Sequence, residues 1–511
     1  MAGSLDPVRL FCVLGASLIL VMTGCDSGMR VETKGETVMY GLTSPIPGFD
    51  PVKAGDVSSS RAIGKIYEGL LQYSYLERPY QVEPNLAAAL PEISEDGLVY
   101  TFRIRKGIHF QDDPCFVDTG GKGREVVASD FVYSIKRVAD LKNESTGYWA
   151  FRDRIKGLDE FREASSGRAP TDYSMQVEGL QAPGRYVFRI ELKRPYPQLL
   201  WILTMHYSYA VPREAVEYYG DEFVNHPVGT GPYVLEDWQR NYRVEFVRNP
   251  KWEETGRVEL YPSEGTAEDA ENGLLRDAGK PVPFIDRIVQ YRIEDTSTAW
   301  LKFVTGDVEF SGISRNNWDA VITQDRNLTG SLRNRGVELY TSPTLDVFYI
   351  GFNMDDPVVG SSDDPETDRR HRKLRQALTC AFNSGKWVRF YNKRIIRAKG
   401  PIPPGVAGRR EAPSPFQYDP ERAERLLAEA GYPGGKNAET GERLRLTMEL
   451  GSAANPEVRE SVELLVDFMN EIGVILEPSY NHWPEFLEKV GRRQCQLYRL
   501  GWVADYPDAE N

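Results

Sequence analysis

Apolar and polar positions along the chain switch between two periods, and the switches predict the elements. Leu98 to Ile104 and Tyr186 to Leu192 alternate apolar with polar, as half-buried strands do. Val38-Met39-Tyr40, Val244 to Val247, Ile288 to Ile293, Val347 to Phe352 and Val474 to Pro478 predict further strands. The most regular runs from Leu444 to Leu450, with Leu444, Leu446, Met448 and Leu450 set against Arg445, Thr447 and Glu449. Helical spacing takes over at Ile63, Ile66-Tyr67 and Leu70-Leu71, and again at Phe131-Val132, Ile135 and Val138 behind a cap at Ser129-Asp130. It recurs from Ser297 to Val304, Arg372 to Phe382, Glu457 to Ile472 and Trp483 to Val490. The cleanest helix has Asp419 as N-cap, Pro420 in its first turn, a stripe of Ala423, Leu426-Leu427 and Ala430, and Gly431 as its stop. Strands and helices mix without an internal repeat, which predicts an α/β architecture of at least two lobes. The stretches 140–175 and 255–280 are charged and weakly periodic, and read as insertions.

Composition narrows the function. A chain of 511 residues is too long for one core. Its formal net charge of −13, with Lys and Arg scattered among acids, argues against nucleic acid as a partner. There is no phosphate loop, no H-E-x-x-H and no paired C-x-x-C, and the five histidines are dispersed. Gly229-Thr230-Gly231 lacks the third glycine of a nucleotide fingerprint, and Pro232 removes an N–H donor there. His226, before Pro227, reads as a loop residue. No catalytic residue, metal or cofactor is implied, and the chain does not read as an enzyme. Beyond Cys12 and Cys25 there remain Cys115, Cys380 and Cys495; a disulfide between two of them is left open.

The first residues carry Arg9, an apolar run from Leu10 to Met22, and then Thr23-Gly24-Cys25-Asp26. The run is too short to span a bilayer and fits an export signal. The small residues before Cys25 resemble the bacterial lipoprotein signal, in which that cysteine is lipidated; Met22 replaces the usual leucine. An ordinary signal with a chance cysteine is the alternative. Residues 1–24 are then a signal peptide and 25–37 a polar tether to the membrane.

The last stretch, Arg499-Leu500-Gly501-Trp502-Val503-Ala504-Asp505-Tyr506-Pro507-Asp508, ends an apolar run with an indole and two carboxylates. It suits an apolar, cationic ligand group, and equally a strand-to-turn corner. Landmarks elsewhere give it context: Tyr67-Glu68-Gly69-Leu70, Tyr100 to Arg105, Ser129 to Ser134, Pro227 to Tyr233, Gly351-Phe352-Asn353, Arg375 to Leu378 and Tyr418 to Ala423. In this order they resemble the extracytoplasmic solute-binding proteins of peptide and nickel ABC transporters, the oligopeptide- and dipeptide-binding family 5, from about residue 38 onward.

The resemblance implies a large periplasmic-binding-protein fold, two α/β lobes with a hinge and an extra domain on the first lobe. The first lobe would be 38–69 with 228–310, the extra domain 70–227 and the second lobe 311–511. Such a protein captures peptide between its lobes and delivers it to a permease driven by ATPase subunits, as a lipid-anchored monomer on the outer side of the cytoplasmic membrane. By the same resemblance Asp505 binds the ligand's amino group. Arg499, Trp502, Trp483 and Gly501 accompany it, and the segment Ala54 to Ser58 (Gly55, Asp56, Val57, Ser58) supplies main-chain contacts. Asp508 stays turn chemistry. Nickel-chelate or oligosaccharide capture by the same fold, or an envelope peptidase or chaperone, are the alternatives. Asn383-Ser384-Gly385 departs from the aspartate-arginine pair usual in the family. The family continues beyond the signature, so the sequence is expected to be a fragment or a truncated frame; a product stopping at Asn511 is expected to expose apolar surface and be poorly stable.

Overall fold

The computed structural model describes residues 36–42, 44–341, 344–451 and 456–510. The leader, Cys25 and nearly all of the tether lie outside them. Thr37, expected in the tether, already belongs to a strand, and the Glu36 amide donates to Asp286 at 2.9 Å. In chain order the strands are β1 (Thr37–Leu42), β2 (Leu71–Tyr73), β3 (Val82–Pro84), β4 (Glu92–Ile93), β5 (Val99–Arg103), β6 (Leu180–Gly184), β7 (Val187–Glu191) and β8 (Tyr233–Gln239). They continue with β9 (Arg243–Arg248), β10 (Glu259–Leu260), β11 (Pro281–Val282), β12 (Arg287–Arg292), β13 (Asp346–Phe352), β14 (Arg445–Leu450), β15 (Ile475–Tyr480) and β16 (Leu497–Val503).

Three four-stranded sheets carry the architecture, in the orders β1-β12-β9-β8, β4-β5-β7-β6 and β13-β16-β14-β15. The middle one is antiparallel throughout. In the last, β14 runs parallel to both neighbours, which requires a crossover; the helix Pro456–Glu471 supplies the one to β15. The first two sheets share one continuous core around Phe102, Phe131, Phe188 and Phe246, here called the first body. The third sheet closes a separate core with the helices Pro365–Ala381, Pro420–Glu429 and Pro456–Glu471, the second body. Val321, Ile322, Leu328 and Leu332 form a small third cluster with Trp300 and Trp318 packed on it. Residues 318–332 therefore pack with the helix Thr296–Thr305, not in the second core. Among the described residues no helix is long and apolar enough to cross a membrane.

The glycine-rich stretch at 229–231 exists for packing. A Cβ on Gly229 would come within 2.0 Å of the Ile66 carbonyl oxygen, and the Gly231 amide donates to that oxygen at 2.7 Å. Glu68 lies buried beneath it, taking both Arg257 Nη atoms (2.8 and 2.7 Å) and the Thr230 hydroxyl (2.8 Å). A second buried pair, Arg137 with Asp50 at 2.8 and 3.0 Å, ties the helix Ala128–Ala139 to the segment leading into the helix Val57–Ile66.

Several expectations change here. The first helix ends at Ile66, where Tyr67 turns extended, and the helical spacing of Leu70-Leu71 is coincidental because Leu71 opens β2. The helix expected behind Ser129-Asp130 begins at Ala128; Asp130 caps from inside its first turn, accepting from the Val127 amide at 2.9 Å. The helix expected from Arg372 begins at Pro365, with Asp364 as N-cap; its first two turns are charged and show no stripe. Residues 140–175 are no loose insertion, since Tyr148, Phe151, Ile155, Leu158 and Phe161 are all buried in the first core. Residues 255–280 contribute β10, which pairs with β11, and an exposed helix, Ala267–Glu271. Cys115, Cys380 and Cys495 are free thiols. His226 follows the turn Gly220–Asn225 and stacks on Tyr219 at 4.3 Å.

Candidate functional site

One wall of the site is the backbone that enters the helix Val57–Ile66. Asp56 caps that helix, accepting from the Ser59 amide (2.9 Å) and hydroxyl (2.6 Å). Just before it, the Ala54 carbonyl accepts from three side chains: Thr146 Oγ1 at 3.0 Å, His206 Nε2 at 2.9 Å and the Tyr207 hydroxyl at 2.9 Å. A carbonyl only accepts, so Nε2 carries the imidazole proton and Nδ1 accepts from the Ser60 hydroxyl at 3.2 Å. That neutral ring is fully used, in keeping with burial, which depresses its pKa. Gly55 and Val57 are exposed on this fixed backbone, alternating with the half-buried Asp56 and Ser58.

The other wall is the end of β16. Side chains alternate along a strand, so Leu497, Arg499 and Gly501 leave one face and Tyr498, Leu500 and Trp502 the other. Gly501 pairs with Phe348 of β13, and a Cβ there would come within 2.6 Å of that ring. Arg499 turns toward the helices. It donates to Ser461 Oγ (2.8 Å) and to the Tyr391 hydroxyl (3.0 Å), lies 5.2 Å from the Trp387 ring, and borders an apolar cavity of ≈ 240 Å³ lined by Phe382, Leu446 and Leu465. Trp502, on the opposite face, is 47% exposed. Trp483 is 50% exposed at the start of the helix Trp483–Gly491, stacked on Phe486 at 5.5 Å. The structure thus parts Arg499 from Trp502, although they stand only three positions apart in sequence.

Beyond Val503 the chain leaves the third sheet and meets the first body. Asp505 is exposed, and its carbonyl accepts from the Tyr73 hydroxyl at 3.5 Å. Its charge bears on two phenols of the first body. Tyr73 is pushed up to about 12, by burial first and by Asp505 among lesser causes; Tyr207 is raised by burial, with Asp505 and Asp56 adding to it. The same Tyr207 holds the Ala54 carbonyl. Tyr506 is buried in the first core, and its hydroxyl donates to Glu510 at 2.8 Å. Glu510 also takes Tyr196 (2.9 Å) and Arg154 (2.8 Å). Asp508 accepts from the Glu510 amide at 2.9 Å and from Gln198 at 3.4 Å, a turn that also bridges to the first body.

Sequence reasoning missed Tyr73, Thr146, His206, Tyr207 and Tyr506. The first four carry no local pattern, and they reach the site from far along the chain. Tyr506 adjoins Asp505 in the sequence.

The family model for bacterial extracellular solute-binding proteins, family 5 (middle), matches residues 81–511. The chain is 24% identical over 521 residues to heme-binding protein A of Haemophilus influenzae, covering 97% of this chain and 81% of that protein. It is 25% identical over 514 residues to the dipeptide-binding protein of Escherichia coli, covering 98% and 80%. Its fold is shared with a periplasmic binding protein of Helicobacter pylori solved with the peptide STSA, at a TM-score of 0.65 and 22% identity over 93% of this chain and 80% of that one. These relatives are named as binding proteins, and their fold is the two-lobed α/β fold expected above. With a family model covering most of its length, the chain belongs to the bacterial extracellular solute-binding proteins of family 5.

Proposed function

We propose that this protein is the substrate-binding subunit of an ABC importer that captures peptides with a free amino group. The ligand would lie between the 54–58 backbone of the first body and the end of β16, and be handed to a permease driven by ATPase subunits. One observation carries the reading: Asp505 stands exposed where the chain crosses between the bodies, its carbonyl taking the Tyr73 hydroxyl of the first body at 3.5 Å. A carboxylate there meets an ammonium through charge-assisted hydrogen bonds, while the exposed backbone at Gly55 to Ser58 can pair with an extended ligand. Trp502 and Trp483 offer apolar surface that tolerates varied side chains. Arg499 acts from behind the strand, holding β16 to the helices. The dipeptide-binding and peptide-bound relatives support this ligand class. We further propose that Cys25 carries a lipid anchor, that 38–69 with 228–310 act as the first lobe, 70–227 as the extra domain and 311–511, apart from the 318–332 cluster, as the second lobe, and that the protein works as a monomer outside the cytoplasmic membrane.

The test is calorimetric titration with a pool of tri- to pentapeptides and with the same pool N-acetylated. Binding of the free pool alone, lost in Asp505→Ala, is the expected result. Equal binding of both pools removes Asp505 from the ligand. Binding of neither pool rules out peptide, and heme, nickel chelates and oligosaccharides become the next ligands to titrate.

A further inference from the structure

The even mixing of charge expected from the sequence fails in one tract. Between Asp368 and Glu411 the chain has thirteen Lys and Arg and no Asp or Glu, in a protein whose formal net charge is −13. Most of those cations are neutralised by carboxylates from outside the tract, among them Arg372 with Asp368 (2.8 Å), Lys386 with Glu471 (3.2 Å) and Arg394 with Glu457 (2.8 Å). Among the described residues, Arg389, Lys393 and Arg397 form no ion pair. These three converge, and Arg326 joins them from the small third cluster with no ion pair of its own. Together they line an open basin of ≈ 680 Å³ that has no carboxylate in its lining. The basin is held in shape: Arg326 donates to the Lys393 carbonyl at 2.8 Å and Arg397 to Gln417 at 3.0 Å. Asn392 and Lys393 both take left-handed backbone (φ 52° and 57°), a costly conformation for two adjacent non-glycine residues. Beside the cations Ile396 is 65% exposed and Tyr418 is 36% exposed.

We propose that this basin docks the protein on an anionic phospholipid surface, with phosphate groups among Arg326, Arg389, Lys393 and Arg397 and with Ile396 and Tyr418 at the acyl boundary. Cations rimmed by an exposed aliphatic and a tyrosine match the interfacial zone of a membrane, where a charged headgroup lies over hydrocarbon. The acidic remainder of the chain is repelled by the same surface, so the basin selects one orientation. The proposal does not depend on which solute the cleft binds.

The test is co-sedimentation of the full chain with vesicles of phosphatidylcholine alone and with about a third phosphatidylglycerol. Three proteins are compared: the natural chain; the triple variant Arg389→Gln, Lys393→Gln, Arg397→Gln; and the control Arg372→Gln, Lys386→Gln, Lys399→Gln, which removes the same charge from ion-paired positions. The leader is common to all three, so only differences count, and matching melting curves exclude misfolding. The basin variant should lose on the order of a hundredfold in partitioning onto the anionic vesicles, at roughly fivefold per cation. The control should lose far less, and the difference should vanish in molar salt, where the screening length falls to about 3 Å. Ile396→Ser should weaken binding several-fold. Equal losses in both triples, or no preference for the anionic vesicles, would overturn the proposal. So would a basin that captures an acidic peptide while ignoring the vesicles, which would make the partner a protein.

Discussion

The two walls of the cleft are built differently. On the first body the 54–58 backbone, the proposed ligand-facing wall, is over-determined. Three side chains converge on one carbonyl at Ala54, an aspartate caps the helix that follows, and the buried Arg137–Asp50 pair anchors the segment just upstream. On the second body the corresponding surface is a strand end with Trp502, Val503 and Phe348 between 47% and 64% exposed, and behind it lies an apolar cavity. One wall holds its shape through its own bonds; the other presents aromatic surface with room behind it. A binding protein that must grip backbone firmly and side chains loosely is served by that division of labour.

The comparison can be broken most directly at Arg137. Its guanidinium and the Asp50 carboxylate are 3% and 5% exposed, so Arg137→Ala strands a buried charge and should cost ~3–5 kcal/mol, read by denaturant titration. A loss under 1 kcal/mol would mean that the first wall does not depend on this tie. Asp505→Ala should weaken peptide binding by about 1.5–3 kcal/mol, the worth of a hydrogen bond to a charged group. A large fall in stability instead would recast Asp505 as structural. Packing offers a third contrast. Ala62→Leu in the filled first core should destabilise by ~1–3 kcal/mol, whereas Leu465→Phe, which points bulk toward the cavity, should be neutral or gain ~0.5–2 kcal/mol. Matching losses would show the second core to be as tight as the first.

The smallest effect concerns pH. Burial holds the His206 pKa below its ordinary 6.5, so the unfolded chain takes up this proton first. Its contribution to stability is complete above about pH 6.5 and is lost as the pH falls below that value. Melting temperature between pH 7.5 and 5 should therefore drop more steeply in the natural chain than in His206→Asn, whose amide can still donate to Ala54. Identical slopes would mean that the ring is not held neutral.

Strands with strict alternation, β5, β7 and β14, and helices with both a cap and a stripe, such as Pro420–Glu429, were legible because local pattern and tertiary environment agree there. Residues 140–175 misled because their buried aromatics are carried on short turns, where no period relates one inward position to the next. The first turns of the helix at Pro365 were invisible because their side chains pair along an exposed surface, Arg369 and Arg370 with Glu366. The stretch around Asp505 stands out as a proposed site only through its likeness to a family; nothing local distinguishes it from a turn. Thr146, His206 and Tyr207 act at Ala54 from more than ninety residues away, and only the folded chain brings them there. Strand parity, available from the sequence, would have set Arg499 apart from Trp502.

The burial of Tyr506 has a kinetic consequence. Asp505 is one peptide bond from a ring held in the first core, yet it is also the continuation of a strand in the second body. Any separation of the two bodies must either draw that ring out into water or take up slack in the two residues between Val503 and Tyr506. Withdrawing a buried aromatic is an activated event. Solute release then carries a barrier of its own, separate from affinity, and Tyr506→Ala is the variant in which dwell time should shorten before equilibrium binding changes.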